Sequence, residues 1–586
     1  MERIMKQITH FTILMQMIFL VSCQSQNQSG ADTVFRNGEI YTVDGDRTWA
    51  QSIAIQNGRI TYVGNDDAIS EHIGAQTKVI DLKGKMMIPG MQDIHIHPIY
   101  GGIEYSSCNL NNLAGIDDYR RVISEYAAAN PNVEWILGGG WSMAAFGPGG
   151  SPHRNVIDEL VSDRPVFLTS ADGHTGWANT HALELAGITH ETPDPVDGRI
   201  DRDPETGEII GSLQEGAMSL VSKIIPPADE SLREEGLRYA IEMLNGFGIT
   251  SIQDAMVNAK EYNLSNELET YQTLEQQGEL TLRVVTSLWW AREKGLEQIE
   301  GFKALRDKYN SKLIKASTVK IMQDGVMENY TAALLKPYIV PSKTRGIPMV
   351  EGEFLKSAVT ALDKSGFQVH FHAIGDRAIR QSLDAVEESM YENGQLGHRH
   401  HISHLQLIDP DDIGRFAELS VVANFQPLWA YADDYITELT APFLGEERMR
   451  WMYPIRSVQE SGGKIAFGSD WSVSSANPFQ QMETAVTRLS ATELTPLEHK
   501  LFNASEVTPL VIEESIDIAS AIEAFTINAA FVNKSEHETG SIEVGKYADL
   551  VVLDQNLFNI DAKDISNTIA LLTLFEGEIV HGSLAL

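Results

Sequence analysis

The segment "GMQDIHIHPIY", residues 90–100, places two histidines one residue apart, just after an apolar run and a Pro-Gly step. Side chains two apart on a β-strand point to the same face. As a strand, the segment puts His95 and His97 on one face, with Asp93 one pleat behind. Such a pair can hold a metal ion, or it can be two polar residues at a strand end. Further strand-like runs end in Lys320 ("STVKIMQDG"), His372 ("QVHFHAIGDRA"), His404 ("HHISHLQ") and Asp470 ("IAFGSDW"). Imidazole and carboxylate are ligands that zinc accepts, and a catalytic zinc keeps an open position for water. Lys320 cannot ligate as an ammonium, which has no lone pair. Carboxylated by CO₂, its amine becomes a carbamate able to bridge two cations.

These residues are far apart in the chain, so the fold must bring them together. Strand-like runs ("PVFLTS", "ITSIQDA", "LRVVTSL", "STVKIM", "QVHFHA", "HHISHL", "VVANFQ", "KIAFGSD") alternate with helical stretches. Two of those helices, "LREEGLRYAIEMLNGFG" and "EFLKSAVTALDKSGF", run into a glycine stop. This alternation predicts an α/β fold: a (β/α)8 TIM-like barrel whose strand C-termini converge on one mouth. Residues 105–227 are too many for one βα unit and predict an insertion over that mouth. Short alternating β segments at both ends, with Asn-Gly hairpin signals at Asn37-Gly38 and Asn57-Gly58, predict a composite β-sandwich domain. The expected division is a leader over 1–22, a tether over 23–31, sandwich over 32–88, barrel over 89–530 and sandwich again over 531–586.

The ordered set HxH, Lys, His, His, Asp, framed by split β segments, resembles the amidohydrolase superfamily. "GGGW", "RPVFLTSADGHTGWANTHAL", "VKIMQDG", "VHFHAIGDRAI", "GSDWSV" and "GSIEVGKYADLVVLD" resemble its amidohydrolase 3 branch, the YtcJ-like and N-substituted formamide deformylase-like proteins. The likeness spans about residues 32–582. It implies two divalent metal ions, zinc by preference: His95, His97 and Asp470 on one, His372 and His404 on the other. Carboxylated Lys320 and a hydroxide would bridge them, since a metal lowers the pKa of bound water from 15.7 toward about 7. Asp470 would be catalytic as well as a ligand, passing the hydroxide proton to the leaving amine.

Two features depart from the pattern or crowd it. Ser403 stands beside His404 where relatives commonly have an acid, which predicts altered packing behind an intact ligand. His370, His398, His400 and His401 also lie near the assigned ligands; His370 shares a strand face with His372, but "HAIGDRA" marks His372. In the insertion, His174 and Trp177 of "ADGHTGW" and Trp141 of "GGGWS" are candidate substrate contacts, with packing of the insertion as the competing role. Asp324-Gly325 suits a turn, Asp376 and Arg377 a brace for the loop after His372, and Gln406 a support for His404.

Bulk properties narrow the class. The chain has 586 residues, 43% hydrophobic and 22% charged, with a formal net charge of -36. Those are globular proportions, and the acidic excess excludes a nucleic-acid partner, which requires clustered Lys and Arg. The opening, "MERIMKQITHFTILMQMIFLVSC", has a basic start and a short apolar run, the layout of a secretory signal peptide. Its "LVSC" end resembles a bacterial lipoprotein box, making Cys23 the expected lipidation site. Acyl chains contribute about 0.8 kcal/mol per buried methylene, so the expected place is the bacterial cell envelope, exported to the periplasmic side and membrane-anchored. The other cysteine is Cys108, expected to be buried.

The expected activity is metal-dependent hydrolysis of a non-peptide C–N bond, an amide, formamide or cyclic amide of a small molecule. A mononuclear deaminase on the same barrel and a catalytically inactive ligand-binding lipoprotein are the alternatives. Lys320 speaks against the first and Asp470 against the second. Homo-oligomerisation is left open by the sequence.

Overall fold

The computed structural model describes residues 30–111, 113, 115–260, 263–491 and 508–584. Its centre is a sheet of eight parallel strands: β1 (Met91–Ile96), β2 (Ile249–Val257), β3 (Arg283–Trp289), β4 (Ile314–Met322), β5 (Gln368–Ala373), β6 (His401–His404), β7 (Val422–Phe425) and β8 (Ile465–Phe467). They are hydrogen-bonded to one another in chain order. The loop after β8 returns to β1: the Asp470 amide donates to the His95 carbonyl at 2.7 Å, and the His97 amide to the Trp471 carbonyl at 2.9 Å. Those bonds draw the sheet into the expected, nearly closed barrel. Gly468 permits the approach, because a Cβ there would sit 2.6 Å from the His95 nitrogen.

Every residue of β1 and β5 is buried, as strands covered on both faces must be. The two helices expected from the sequence span Glu230–Gly246 and Gly352–Lys364. The first is capped by the Asp229 carboxylate, which accepts from the Leu232 amide. Gly248 and Gly366 both follow with φ of +82°, a region glycine enters without steric cost.

The chain between β1 and β2 builds its own six-stranded sheet, ordered Gly198–Arg202, Ile209–Glu215, Thr175–Ala178, Val166–Ser170, Ile136–Trp141 and Cys108–Asn109. The "PVFLTS" run belongs here rather than to the barrel: Val166–Ser170 pairs antiparallel with Thr175–Ala178. A buried strand of an inserted sheet and a barrel strand carry the same apolar run, so periodicity does not separate them.

Segments from the two chain ends lie side by side. Leu550–Leu553 pairs antiparallel with Met86–Pro89 in a six-stranded sheet. A four-stranded sheet containing Thr33–Arg36 faces it, with Phe35, Ile53 and Ile80 packed against Met87, Leu550 and Leu572. Asn57 and Gly58, at φ +52° and +73°, turn a hairpin between Ser52–Gln56 and Arg59–Gly64. Asn37-Gly38 does not. Thr33–Arg36 belongs to the four-stranded sheet and Glu39–Tyr41 to the six-stranded one, so this turn carries the chain between layers. Cys23 and the leader lie outside the described residues. Among those described, no helix is long and apolar enough to cross a membrane.

Candidate metal centre

Polar side chains fill the barrel in layers from its N-terminal end upward. At the base, the Gln253 amide donates to Thr318 Oγ1 at 3.1 Å and Gln368 Oε1 at 3.0 Å. Above it, His370 Nδ1 meets Ser287 Oγ at 3.1 Å, while His370 Nε2 meets Ser403 Oγ at 2.7 Å and His95 Nδ1 at 2.9 Å. Asn424 Nδ2 donates to the same Ser403 oxygen at 2.9 Å. His95 is thus held at one nitrogen and presents Nε2 upward.

That nitrogen faces the remaining candidates. Lys320 Nζ lies 3.5 Å from His95 Nε2. Asp470 Oδ1 lies 3.3 Å from His95 Nε2 and 2.9 Å from His97 Nε2, and Asp470 Oδ2 lies 3.8 Å from His404 Nδ1. His95, His404 and Asp470 present ligand atoms within 4.8 Å of one another. The His372 ring centroid is 4.4 Å from that of His404. The structure therefore brings all six expected ligands to one end of the barrel. His404 and Asp470 get there through left-handed backbone, φ +80° and +57°. Non-glycine residues in that region are strained, and such strain concentrates at functional sites. The turn at His404 also lets Ser403 reach His95 while its neighbour still faces the mouth.

The donor set fits divalent metal. Burial, and then the Lys320 charge, lower His95 to about 3, and burial pushes His372 and His404 well below the ordinary imidazole range. All three are neutral imidazoles at neutral pH, the ligating form. Burial would raise Asp470, but His95 and His97 outweigh it and hold the acid well below the carboxylate range. His372 Nδ1 and both nitrogens of His404 are buried without a hydrogen-bond partner. Buried polar atoms carry a desolvation cost unless something pairs with them, and a cation among these lone pairs would do so. Burial lowers Lys320 to about 7, which makes its free amine available near neutrality.

Around the centre the supporting contacts explain several neighbours. Asp93 Oδ1 accepts from the His95 and Ser469 amides at 3.1 and 3.0 Å, tying β1 to the loop that carries Asp470. Asp324 accepts from the amides of Ala333, Ile374 and Gly375 at 2.8–2.9 Å, so it shapes the loop after His372. Asp376 accepts from the Leu335 amide at 2.8 Å. His400 lies 3.1 Å from Asp363, His398 lies 4.0 Å from it, and the His401 ring packs against that of His370 at 4.1 Å, tilted by 40°; none of the three lines the cavity described next.

A cavity of 510 Å³ opens above the centre, lined by His372, His404 and Asp470 together with His174, Glu328 and Gln406. His174 thus sits at the site, its ring centroid 5.2 Å from His372. Burial disfavours its charged form, but Glu215, 2.9 Å from Nδ1, lifts it to about 9. The two tryptophans differ from expectation. Trp141 and Trp177 are fully buried and do not line the cavity. They pack edge-to-face 5.9 Å apart, with Trp141 Nε1 bonded to the Leu168 carbonyl and Trp177 Nε1 to the His153 carbonyl. In their strands they face the large apolar core that the insertion shares with the barrel.

Three neighbours escape the sequence reading. Glu215 pairs with His174 across 41 residues, and nothing local announces it. Glu328 follows β4 in a loop with no regular period. Trp429 stacks on His404 at 5.3 Å and 6°; it follows the end of β7, and position at a barrel strand's C-terminus is the signal that could have found it.

The amidohydrolase family model matches residues 78–581. Over 549 residues the chain is 31% identical to Protein LONG AFTER FAR-RED 3 of Arabidopsis thaliana, covering 92% of this chain and 90% of that protein. It is 25% identical over 571 residues to the N-substituted formamide deformylase of Arthrobacter pascens, covering 93% and 97%. A solved structure, an uncharacterized metal-dependent hydrolase from Pyrococcus horikoshii OT3, superposes with a TM-score of 0.68 at 24% identity, covering 90% of this chain and 99% of that one. That likeness is one of fold. Together with the ordered ligand set, the family match places this chain in the amidohydrolase family.

Proposed function

We propose that this chain, a metal-dependent hydrolase by family, cleaves a non-peptide C–N bond of a small molecule: an N-acyl amine, a formamide or a cyclic amide. The observation that carries the reading is the convergence of His95, His97, Lys320, His372, His404 and Asp470 beneath one cavity, with lone pairs left over. His95, His97 and Asp470 would hold one divalent ion, zinc by preference, and His372 and His404 a second. Bound there, the metals would polarise the scissile carbonyl and make a water acidic enough to attack near neutrality.

The chain's own groups do the rest. Lys320, an amine at about 7, adds CO₂ and loses a proton to become the carbamate between the two sites. Asp470, a buried carboxylate whose Oδ1 lies 2.9 Å from His97 Nε2, would accept the proton of the attacking water and return it to the departing amine. The name of the Arthrobacter relative favours formamides among the candidate bonds. We further propose that the chain is exported and held at the bacterial envelope through lipidated Cys23, on the strength of its leader sequence.

The test is a substrate panel of formamides, N-acyl amino acids, lactams and lactones offered to zinc-loaded protein. Release of amine from at least one formamide or amide is expected. Turnover of lactones alone, or of nothing, would overturn the C–N reading.

A further inference from the structure

The cavity above the metal centre is acidic and aromatic in a way that hydrolysis of an amide does not itself require. Trp429, Tyr431, Tyr435, Tyr453 and Trp471 supply ring surface to its wall. Asp172, Glu328, Asp433 and Asp434 line it as well, and no lysine or arginine does among the described residues.

Two of these acids are built in rather than placed at the rim. Asp172 Oδ1 is fixed by the Ser170 hydroxyl at 2.6 Å and the His174 amide at 2.8 Å, while Oδ2 is buried with no partner. Glu328 is 6% exposed. Its Oε1 receives two long contacts, from Gln406 Nε2 at 3.5 Å and Thr440 Oγ1 at 3.3 Å. Both acids and Tyr435 line the same cavity. His174 lines the cavity too and favours the charged form of Asp172 against the larger effect of burial, but its ring is paired with Glu215 at 2.9 Å. Burial raises both acids, Glu328 to about 7, because a buried carboxylate is costly without a cation of its own; a cationic ligand flanked by ring faces offsets that cost.

We propose that the substrate carries a positive charge away from the scissile bond, being the N-acyl derivative of an amine with a second, ammonium-bearing end. The ammonium sits between Asp172 and Glu328 against the ring of Tyr435. The acyl carbonyl faces His372, His404 and Asp470. An anionic substrate such as an N-acyl amino acid meets like charge at the same place and is disfavoured. This assignment rests on the C–N hydrolase reading for what happens to the ligand, though not for how the cavity binds it.

The experiment uses three formamides on the zinc-loaded full chain. N-[2-(trimethylammonio)ethyl]formamide is the cation, N-(3,3-dimethylbutyl)formamide its uncharged isostere, and N-formyl-β-alanine the anion. Both kcat/KM and equilibrium binding, followed by tryptophan fluorescence, are measured. The cation is expected to exceed the isostere by about tenfold or more in binding, with the anion weakest. Asp172→Asn and Glu328→Gln are each expected to shrink the cation-to-isostere ratio; the wild-type ratio stands alone if a variant does not fold. Equal or better binding of the isostere or the anion would overturn the proposal. Preferential binding of the cation without turnover of any compound would count against formamide hydrolysis while leaving the charge assignment intact. Turnover without charge preference would do the reverse.

Discussion

Ser403 Oγ lies 2.9 Å from His95 Nδ1, on the side of the imidazole away from Lys320 and Asp470. With His370 Nε2 at 2.9 Å from the same nitrogen, this contact determines the orientation of the ring and which nitrogen presents its lone pair. Groups that orient a ligating imidazole typically change metal affinity by about 10–100-fold when removed. Ser403→Ala is therefore expected to weaken metal binding by about that factor, measured by competition with a chromophoric chelator. Unchanged affinity would show that His370 alone orients His95.

Stability of the metal-free chain should depend on pH through its buried titratable groups, with opposing contributions on the acid side. Burial holds His95 at about 3 and pushes His370, His372, His401 and His404 well below the ordinary range. In the unfolded chain these groups titrate near about 6.5. Below that value the unfolded state binds protons that the folded state does not, so each histidine's contribution falls as pH drops from about 6.5, by up to about 1.4 kcal/mol per pH unit. Lys320, lowered to about 7, acts with the same sign at higher pH: the unfolded amine is protonated up to about 10.4, so stability rises between the two values. Burial also raises Asp254 to about 6, Asp93, Glu267 and Glu328 to about 7 and Asp324 to about 8, and these carboxylates oppose the histidines below those values. The Lys320 contribution stands clear of them above about pH 8: urea midpoints of chelator-treated protein between about pH 8 and 10 are expected to rise more steeply in wild type than in Lys320→Ala, and identical slopes would contradict it.

Trp177 is expected to matter for folding and not for substrate affinity. It is fully buried against Trp141 and Phe146. Trp177→Ala is expected to cost about 3–5 kcal/mol by opening a cavity in the insertion. Trp177→Phe is expected to lower the melting temperature while leaving KM for the best panel substrate in place. A raised KM at unchanged melting temperature would return this residue to the substrate wall.

Much of the centre is legible in the sequence because a parallel barrel turns strand order into spatial convergence. Each of His95, His97, Lys320, His372, His404 and Asp470 follows an apolar run at a strand end, and the barrel needs nothing more to gather them. The hairpin at Asn57-Gly58 is legible for a similar reason, since the turn residues themselves demand positive φ. Asn37-Gly38 carries the same signal and instead links two sheets, because which strands pair is decided by packing between layers. Trp141 and Trp177 show the limit for side chains. An aromatic in a loop-rich insertion reads equally well as pocket wall or as core, and only the sheet register turned both inward. Glu215 lies beyond local reading altogether: its partner His174 is brought to it by the pairing of Thr175–Ala178 with Ile209–Glu215.

The central claim is that six side chains at the barrel mouth hold two metal ions with Lys320 between them. Metal counting by mass spectrometry on protein purified without chelator, for wild type and Lys320→Ala in parallel, tests it most directly. Two equivalents per wild-type chain, falling to one or fewer in Lys320→Ala together with loss of turnover, is the result expected. One equivalent in both proteins, with Lys320→Ala still active, would contradict it.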